Sequence, residues 1–223
     1  MNVKDVRDRI LEGVFLNVSQ CGFKINKRDK HFERSYNGFH QIFDLLFQKS
    51  KDGIYIEPVL QIKSKEIEDI YHKVSKKEPK YHSGTVTLGN NLLNIIDYYE
   101  NGKEVDSDPK QRYVLEEDQG IPILIKVISN NFEKYGLSYF NQNSSIERVD
   151  ELLNRSPHEI SIHNWLYPMR ACIAIIAAKL NNNPQFEELL NIYEQGLGDA
   201  VEPYKTDFEA LKGIVMRIRF NEK

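Results

Sequence analysis

Histidines with neighbouring carboxylates are the first residues in this sequence that could support chemistry. His158, Glu159 and His163 approximate a zinc-protease helix, which needs its two histidines four residues apart so that one helical turn brings both rings to the ion. Here the histidines are five residues apart and follow Pro157. The spacing therefore favours loop histidines and predicts no metal site.

A second histidine pair and an acidic segment are further candidates for metal or acid–base chemistry. His31 and His40 flank the first predicted hairpin, and rings that faced each other across it would hold a metal ion or a proton. Five carboxylates crowd one segment without the regular spacing of an EF-hand: Asp97, Glu100, Glu104, Asp106 and Asp108. The simpler interpretations are a packed or solvated histidine pair and a solvated acidic loop.

Two lysine-rich clusters could instead line a groove for single-stranded nucleic acid, where lysines follow the backbone and aromatic rings stack on bases. Their residues are Lys24, Lys27, Arg28 and Lys30 with Phe32, and Lys73, Lys76, Lys77 and Lys80 with Tyr81. The simpler interpretation is a solvated rim around a sheet. Tyr98 and Tyr99 stand beside polar loop residues, and such tyrosines, like segregated charges, are also typical of a protein-binding surface.

Motifs for nucleotide binding and for serine hydrolysis are absent from the sequence. Gly196 and Gly198 form a fragment of a dinucleotide fingerprint, but the segment follows a predicted helix and lacks the third glycine, so a helix C-cap is the better interpretation. No phosphate-binding Gly-x-x-x-x-Gly-Lys-Ser/Thr loop and no Gly-x-Ser-x-Gly elbow occur. The sequence thus predicts no catalytic residue and no cofactor.

Composition excludes several classes of protein. The 223 residues include 30 basic and 33 acidic side chains, a net charge of −3, which argues against duplex-DNA binding. No apolar run approaches the roughly 20 residues that a bilayer span requires, and the N-terminal residues have no apolar signal-peptide core. Cys21 and Cys172 do not make a disulfide framework. We therefore expect a cytoplasmic protein without a membrane partner.

The first part of the chain predicts a helix followed by a three-stranded antiparallel meander. Apolar residues recur at three- and four-residue steps over residues 3–18, and Gly22 ends that helix. Asn37-Gly38 is a strong hairpin signal. The predicted strands span residues 31–36, 39–49 and 54–63. The middle strand is apolar on both parities and should be the most buried, and Pro58 should lie at an edge or a bulge.

Later elements become predominantly helical. The remaining predicted elements are a short helix at 67–74, strands at 85–88 and 113–115, and helices from Ile121 onward. Residues 90–99 fit both a strand and a helix, and either Ser144 or Ser145 is suited to cap a helix. Residues 165–180 are apolar nearly all round, so this helix should lie in the interior.

This order predicts an α+β fold: an antiparallel sheet with helices packed on one face and a helical C-terminal half. We expect a single domain over residues 1–223, because no Gly/Ser-rich or Pro-rich linker separates the halves. Residues 1–118 and 119–223 are the possible subdivision.

Several short motifs resemble a family of uncharacterised bacterial proteins of unknown function. The matching residues are Gly22-Phe23-Lys24, Phe32-Glu33-Arg34, Phe47-Gln48-Lys49-Ser50, the strand from Ile54 to Val59 and the helical run from Ile121 to Leu153. The family pattern has a tryptophan-rich strand where this chain, over residues 84–112, has none. The resemblance implies a fold of strands and helices, no catalytic residues, and bacterial settings that suggest immunity or partner binding.

The leading hypothesis is a non-enzymatic intracellular protein that binds another macromolecule, with a protein as the favoured partner. It rests on the missing catalytic motifs, the segregated charges and the loop aromatics. A metal-dependent hydrolase or transferase without a local motif, using His31 and His40 or the acidic segment, is the alternative. Single-stranded nucleic-acid binding through the lysine clusters is a second alternative.

Overall fold

The computed structural model describes residues 2–102, 111–198 and 200–218. Its strands are β1 (Lys24–Asn26), β2 (His31–Tyr36), β3 (Phe39–Ser50), β4 (Gly53–Ser64), β5 (Leu88–Asn91) and β6 (Tyr113–Leu115). Its helices are α1 (Val3–Val18), α2 (Lys65–Tyr71), α3 (Leu92–Asn101), α4 (Ile121–Asn131), α5 (Leu137–Gln142), α6 (Ile146–Asn154), α7 (Tyr167–Leu180), α8 (Phe186–Gly196) and α9 (Glu202–Val215). A π-helical turn over Phe132–Gly136 joins α4 to α5.

The strands form one antiparallel sheet in the order β1-β2-β3-β4-β5, which confirms the predicted meander and the α+β class. The β2–β3 hairpin closes at Asn37-Gly38, where both residues have positive φ, 50° and 79°. This is the backbone of a type I′ turn, whose twist matches that of the flanking strands. The long β3–β4 hairpin continues in unbroken register from Phe39↔Ser64 to Ser50↔Gly53.

Strand β4 has two different neighbours along its outer edge. β5 pairs with Val59–Ile62, and β6 pairs with Ile54–Ile56. Pro58 falls between these two ladders and pairs only with Leu45 of β3 among the residues described. Proline has no N–H to donate to a neighbouring strand, so it is tolerated at a position where β4 has no outer partner within the described ranges. The sequence predicted such an edge position for Pro58.

The two faces of the sheet differ in burial. Along β4 every second side chain is buried and its neighbours are half-exposed. The buried face meets the helices: the rings of Phe43 and Phe132 stack with centroids 4.5 Å apart, and Gln41 Nε2 donates to Phe140 O at 2.9 Å. We call the half-exposed face, which carries His40, Lys63 and the alternate side chains of β2–β4, the open face.

The expectation that β3 is the most buried strand is wrong, because its residues from Leu46 onward are half-exposed or exposed, whereas β4 keeps every second residue buried to its end. On the open face Ile42 is buried, but Leu46 is 48% exposed. Apolar residues on both parities indicated two covered faces, whereas the helices pack on one.

Residues 85–101 divide into a short strand and a helix. β5 begins at Leu88, three residues later than predicted. Asn91 ends the strand and caps α3, because its side chain accepts from Leu93 N at 2.9 Å. Ser145 caps α6 in the same way by accepting from Arg148 N at 3.2 Å.

Helix α7 lies in the interior, as its all-round apolar surface predicted, with every residue from Met169 to Ala178 buried. It packs against α2, α6, α8 and α9. The Tyr167 hydroxyl occupies the space where a Cβ at position 196 would lie. Neither Gly196 nor Gly198 has positive φ, so Gly196 serves close packing rather than the C-cap expected from the sequence.

Buried apolar side chains of both halves of the chain form one cluster that extends from Val6 to Val215. The choice between one domain and two stays a prediction. Over the described ranges, no helix combines the length and apolarity needed to cross a bilayer.

Candidate functional site

Titratable side chains converge on a cleft at the junction of β4 and α2, which we call the β4–α2 cleft. Its volume is about 390 Å³, and its lining is Ser35, Gly38, Phe39, His40, Lys63, Lys65, Glu68, Asp69 and His72. His40 and Lys63 lie directly opposite each other on β3 and β4. Ser64 then caps α2 by accepting from Ile67 N, and the helix presents its polar side chains to the cleft. A concave site with several perturbed titratable groups is a recognised functional-site candidate.

Glu68 is the most perturbed carboxyl group of the cleft. It is only 7% exposed, and burial raises its pKa to about 7 against the opposing attraction of Lys63. Its two oxygens lie 3.0 Å from the Thr85 hydroxyl and 3.1 Å from the Thr87 hydroxyl. The Thr87 oxygen also accepts from Ser64 N at 2.8 Å. Near neutral pH Glu68 is therefore divided between its neutral and charged forms.

Thr85 links Glu68 to an imidazole pair. His72 Nε2 lies 2.8 Å from Thr85 Oγ1, and the rings of His72 and His82 stack with centroids 4.0 Å apart. Burial, followed by the proximity of His82, lowers the pKa of His72. One hydroxyl thus connects the buried carboxyl to an imidazole at the cleft wall.

The predicted histidine pair meets at a carboxylate rather than ring to ring. His31 Nε2 lies 2.9 Å and His40 Nε2 3.4 Å from the same Glu33 oxygen. Burial alone would raise the pKa of Glu33, but hydrogen bonds from His31 and Asn26 hold it below its usual value. This cluster lies on the open face beside the β4–α2 cleft, which shares His40. Over the described residues, no group of three or more His, Cys, Asp or Glu side chains could hold a metal ion.

The two lysine clusters lie beside different elements of the fold. Lys24, Lys27, Arg28 and Lys30 are exposed at and after β1, where Arg28 pairs with Asp29 at 3.0 Å. Lys73, Lys76, Lys77 and Lys80 are exposed beyond α2. Binding of single-stranded nucleic acid through the two clusters stays a prediction.

The aromatic residues predicted to bind a ligand have different environments. Phe32 is fully buried and stacks on Phe15 with centroids 6.2 Å apart, so it lies in the core and has no surface on which a base could stack. Tyr98 packs edge-on against His163. Tyr99 is partly exposed and donates to Gln142 Oε1 at 3.2 Å.

The other candidate groups have structural partners. Asp97 accepts from Gln111 Nε2 at 2.9 Å, and Glu100 pairs with Lys134, whereas Glu104, Asp106 and Asp108 lie outside the described residues. His163 is buried, and burial lowers its pKa to about 3, so it stays neutral.

A second concave surface lies between β6 and α4 and has a different chemistry. This β6–α4 groove has a volume of about 420 Å³. Three of its apolar side chains are strongly exposed, Ile123 at 70%, Val114 at 48% and Val127 at 38%. Glu116 and Glu117 lie at the end of β6 and form an acidic rim.

Sequence reasoning missed Glu68, Thr85, Thr87 and His72. Their only local signal is the Thr-x-Thr alternation, which places two hydroxyls on one face of an extended segment. The carboxyl group that these hydroxyls contact lies 17 and 19 positions away in the chain.

No protein-family model matches the chain, and no curated protein or solved structure shows significant similarity. This result is consistent with the resemblance to uncharacterised proteins, and it supplies no activity to transfer.

Proposed function

We propose that this protein binds another protein by adding an extended segment of that partner to the edge of β6, over the β6–α4 groove. The occupant is a strand with apolar side chains at alternate positions and basic residues at one end. The observation that carries the proposal is an exposed apolar groove beside a strand edge with an acidic rim.

The backbone of β6 supports this mode of binding. Within the described residues β6 pairs only with β4, from Ile54↔Leu115 to Ile56↔Tyr113. A strand edge without a second neighbour has backbone groups that an extended peptide can pair with, and pockets for alternate side chains then provide specificity.

The side chains of the groove support an apolar occupant. Ile123 and Val127 are one helical turn apart on α4, so they lie side by side on its outer surface. Covering Ile123, Val127 and Val114 would remove apolar area from water, which favours association by about 25 cal/mol for each Å².

Charge determines which strand fits the groove. Glu116 and Glu117 are both exposed at the end of β6. A basic residue of the partner beside them would increase the association rate and exclude acidic segments. If the peptide runs antiparallel to β6, its basic residues precede the apolar ones; if it runs parallel, they follow.

Selection from a random peptide library displayed on phage tests the proposal. The protein should enrich peptides with alternating apolar residues and Lys or Arg at one end. Ile123→Glu should weaken binding of a selected peptide by about tenfold or more, because it places a charge in the apolar floor. Leu16→Glu is a matched control, since Leu16 is 69% exposed on α1. Equal binding to both variants, or enrichment of acidic peptides, would contradict the proposal.

A cytoplasmic location remains part of the proposal. It is supported by the two cysteines, which are not joined. Burial raises the pKa of the Cys172 thiol far above its usual value, so this thiol is unreactive.

A further inference from the structure

The β4–α2 cleft has features of a small-molecule site that the binding of a protein strand at β6 does not use. Its volume of about 390 Å³ lies within the range of ligand pockets. Phe39 provides an apolar wall. The polar groups are His40 on β3, Lys63 on β4 and His72 directly after α2.

We propose that the β4–α2 cleft binds a small anionic ligand whose carboxylate or phosphate group lies beside Lys63 and His40.

The acceptor groups of the cleft are already engaged. Both Glu68 oxygens are contacted by threonine hydroxyls, and Asp69 is paired with Lys65. Glu33, next to the cleft, is shared by two imidazoles. A ligand that offered a positive charge would therefore compete with existing partners for every nearby carboxylate.

The donor groups favour an anion. Lys63 lines the cleft, where burial lowers its pKa against the attraction of Glu68, so an anionic ligand beside it would offset the desolvation of its charge. An ammonium has three N–H donors, so it can contact Glu68 and a ligand oxygen together. The Ser35 hydroxyl and the His40 ring lie on the same wall of the cleft.

Binding of an anion should be coupled to uptake of a proton. The charged and titratable groups that line the cleft around Glu68 are Lys63 on β4, His40 on β3, Lys65 and Asp69 on α2, and His72 directly after α2. An anion beside Lys63 weakens the attraction that keeps Glu68 ionised, so Glu68 takes up a proton. Because the pKa of Glu68 lies near 7, we expect an uptake of less than one proton at Glu68 for each ligand bound. A cation in the same place would release protons instead.

Calorimetric titration at pH 7 tests both the binding of an anion and the coupled uptake of a proton. The titrants are sulfate and malonate, each in buffers of different ionisation enthalpy. Sulfate represents phosphate-like oxyanions and malonate represents carboxylates, while sodium chloride of equal ionic strength controls for general salt effects. We expect saturable binding of at least one probe with fractional proton uptake. The probe that binds identifies the class of ligand.

Variants separate the ligand site from effects on folding. Lys63→Gln should weaken binding by about tenfold, the loss expected for a charge-assisted hydrogen bond, and Lys63→Arg should retain it. Glu68→Gln should retain binding but reduce the proton uptake, since the His40 imidazole can still take up a proton beside the anion. Lys49→Gln, an exposed lysine at the far end of β3, is the matched control. Binding no stronger than the chloride control, proton release, or equal binding by Lys63→Gln and Lys49→Gln would overturn the proposal.

Discussion

Glu68 makes the stability of the protein depend on pH in a direction that can be tested. Its pKa is about 7 in the folded protein, compared with an ordinary value of 4.5. The folded state therefore holds a proton that the unfolded state has lost between these two values. The contribution of this proton to the free energy of unfolding is about 3 kcal/mol. It is fully present below pH 4.5, decreases as the pH rises and is lost above pH 7.

Glu68→Gln should flatten this dependence, because the amide is neutral at every pH and keeps the size of the side chain. Urea unfolding at pH 5, 6, 7 and 8 measures the free energy of unfolding at intervals of about one pH unit, across the range in which Glu68 titrates. The variant should gain stability relative to the wild type as the pH rises. Glu66→Gln, at an exposed position on α2, should keep the wild-type profile. A wild-type slope in the Glu68→Gln variant would show that another group is responsible.

At the scale of elements, the β2–β3 hairpin depends on two residues with positive φ. Gly38 has a φ of 79°, which an alanine adopts only with strain. Gly38→Ala should therefore cost about 1 kcal/mol of unfolding free energy, measured by urea denaturation.

A glycine-to-alanine substitution in α9 should instead increase the free energy of unfolding. Gly213 is exposed in the helix interior, and an added Cβ there meets no atom within 4 Å. Gly213→Ala should stabilise the protein by about 0.5–1 kcal/mol through helix propensity. A loss of stability in both variants would indicate that the hairpin geometry is not the cause at Gly38.

At the scale of the whole molecule, Phe132 connects the sheet to the helices. Its ring contacts Phe23, Phe43 and Phe140 with centroids 5.3, 4.5 and 6.1 Å away. Phe132→Ala should destabilise the protein by about 3–5 kcal/mol, because it removes a large buried side chain. Tyr81→Ala, at a side chain that is 57% exposed, is the control and should have little effect.

The shared core also predicts how the protein unfolds. Trp165 is the single tryptophan and lies in the helical half, so its fluorescence reports on that half. Far-ultraviolet circular dichroism reports on the whole chain. The two transitions should coincide and shift together in Phe132→Ala if the chain is one cooperative unit. Two separated transitions would favour a division near residue 118 instead.

The parts of the fold that follow from a few neighbouring residues were predictable. Asn37-Gly38 requires a tight turn because of its φ angles, alternation along β4 identifies a covered face, and Pro58 marks an interruption in pairing. Ser145 caps α6 because its hydroxyl reaches Arg148 N. Each of these depends on backbone conformation or on local hydrogen bonds, which short stretches of sequence encode.

The two candidate sites depend on contacts between distant parts of the chain. The pKa of Glu68 depends on burial and on Lys63, Thr85 and Thr87, which come from β4 and from the segment before β5. Phe32 shows the converse, since it stands beside lysines in the chain but lies in the core. Burial and electrostatic interaction depend on which groups surround a side chain in three dimensions, and a periodic pattern along one segment carries no information on those groups.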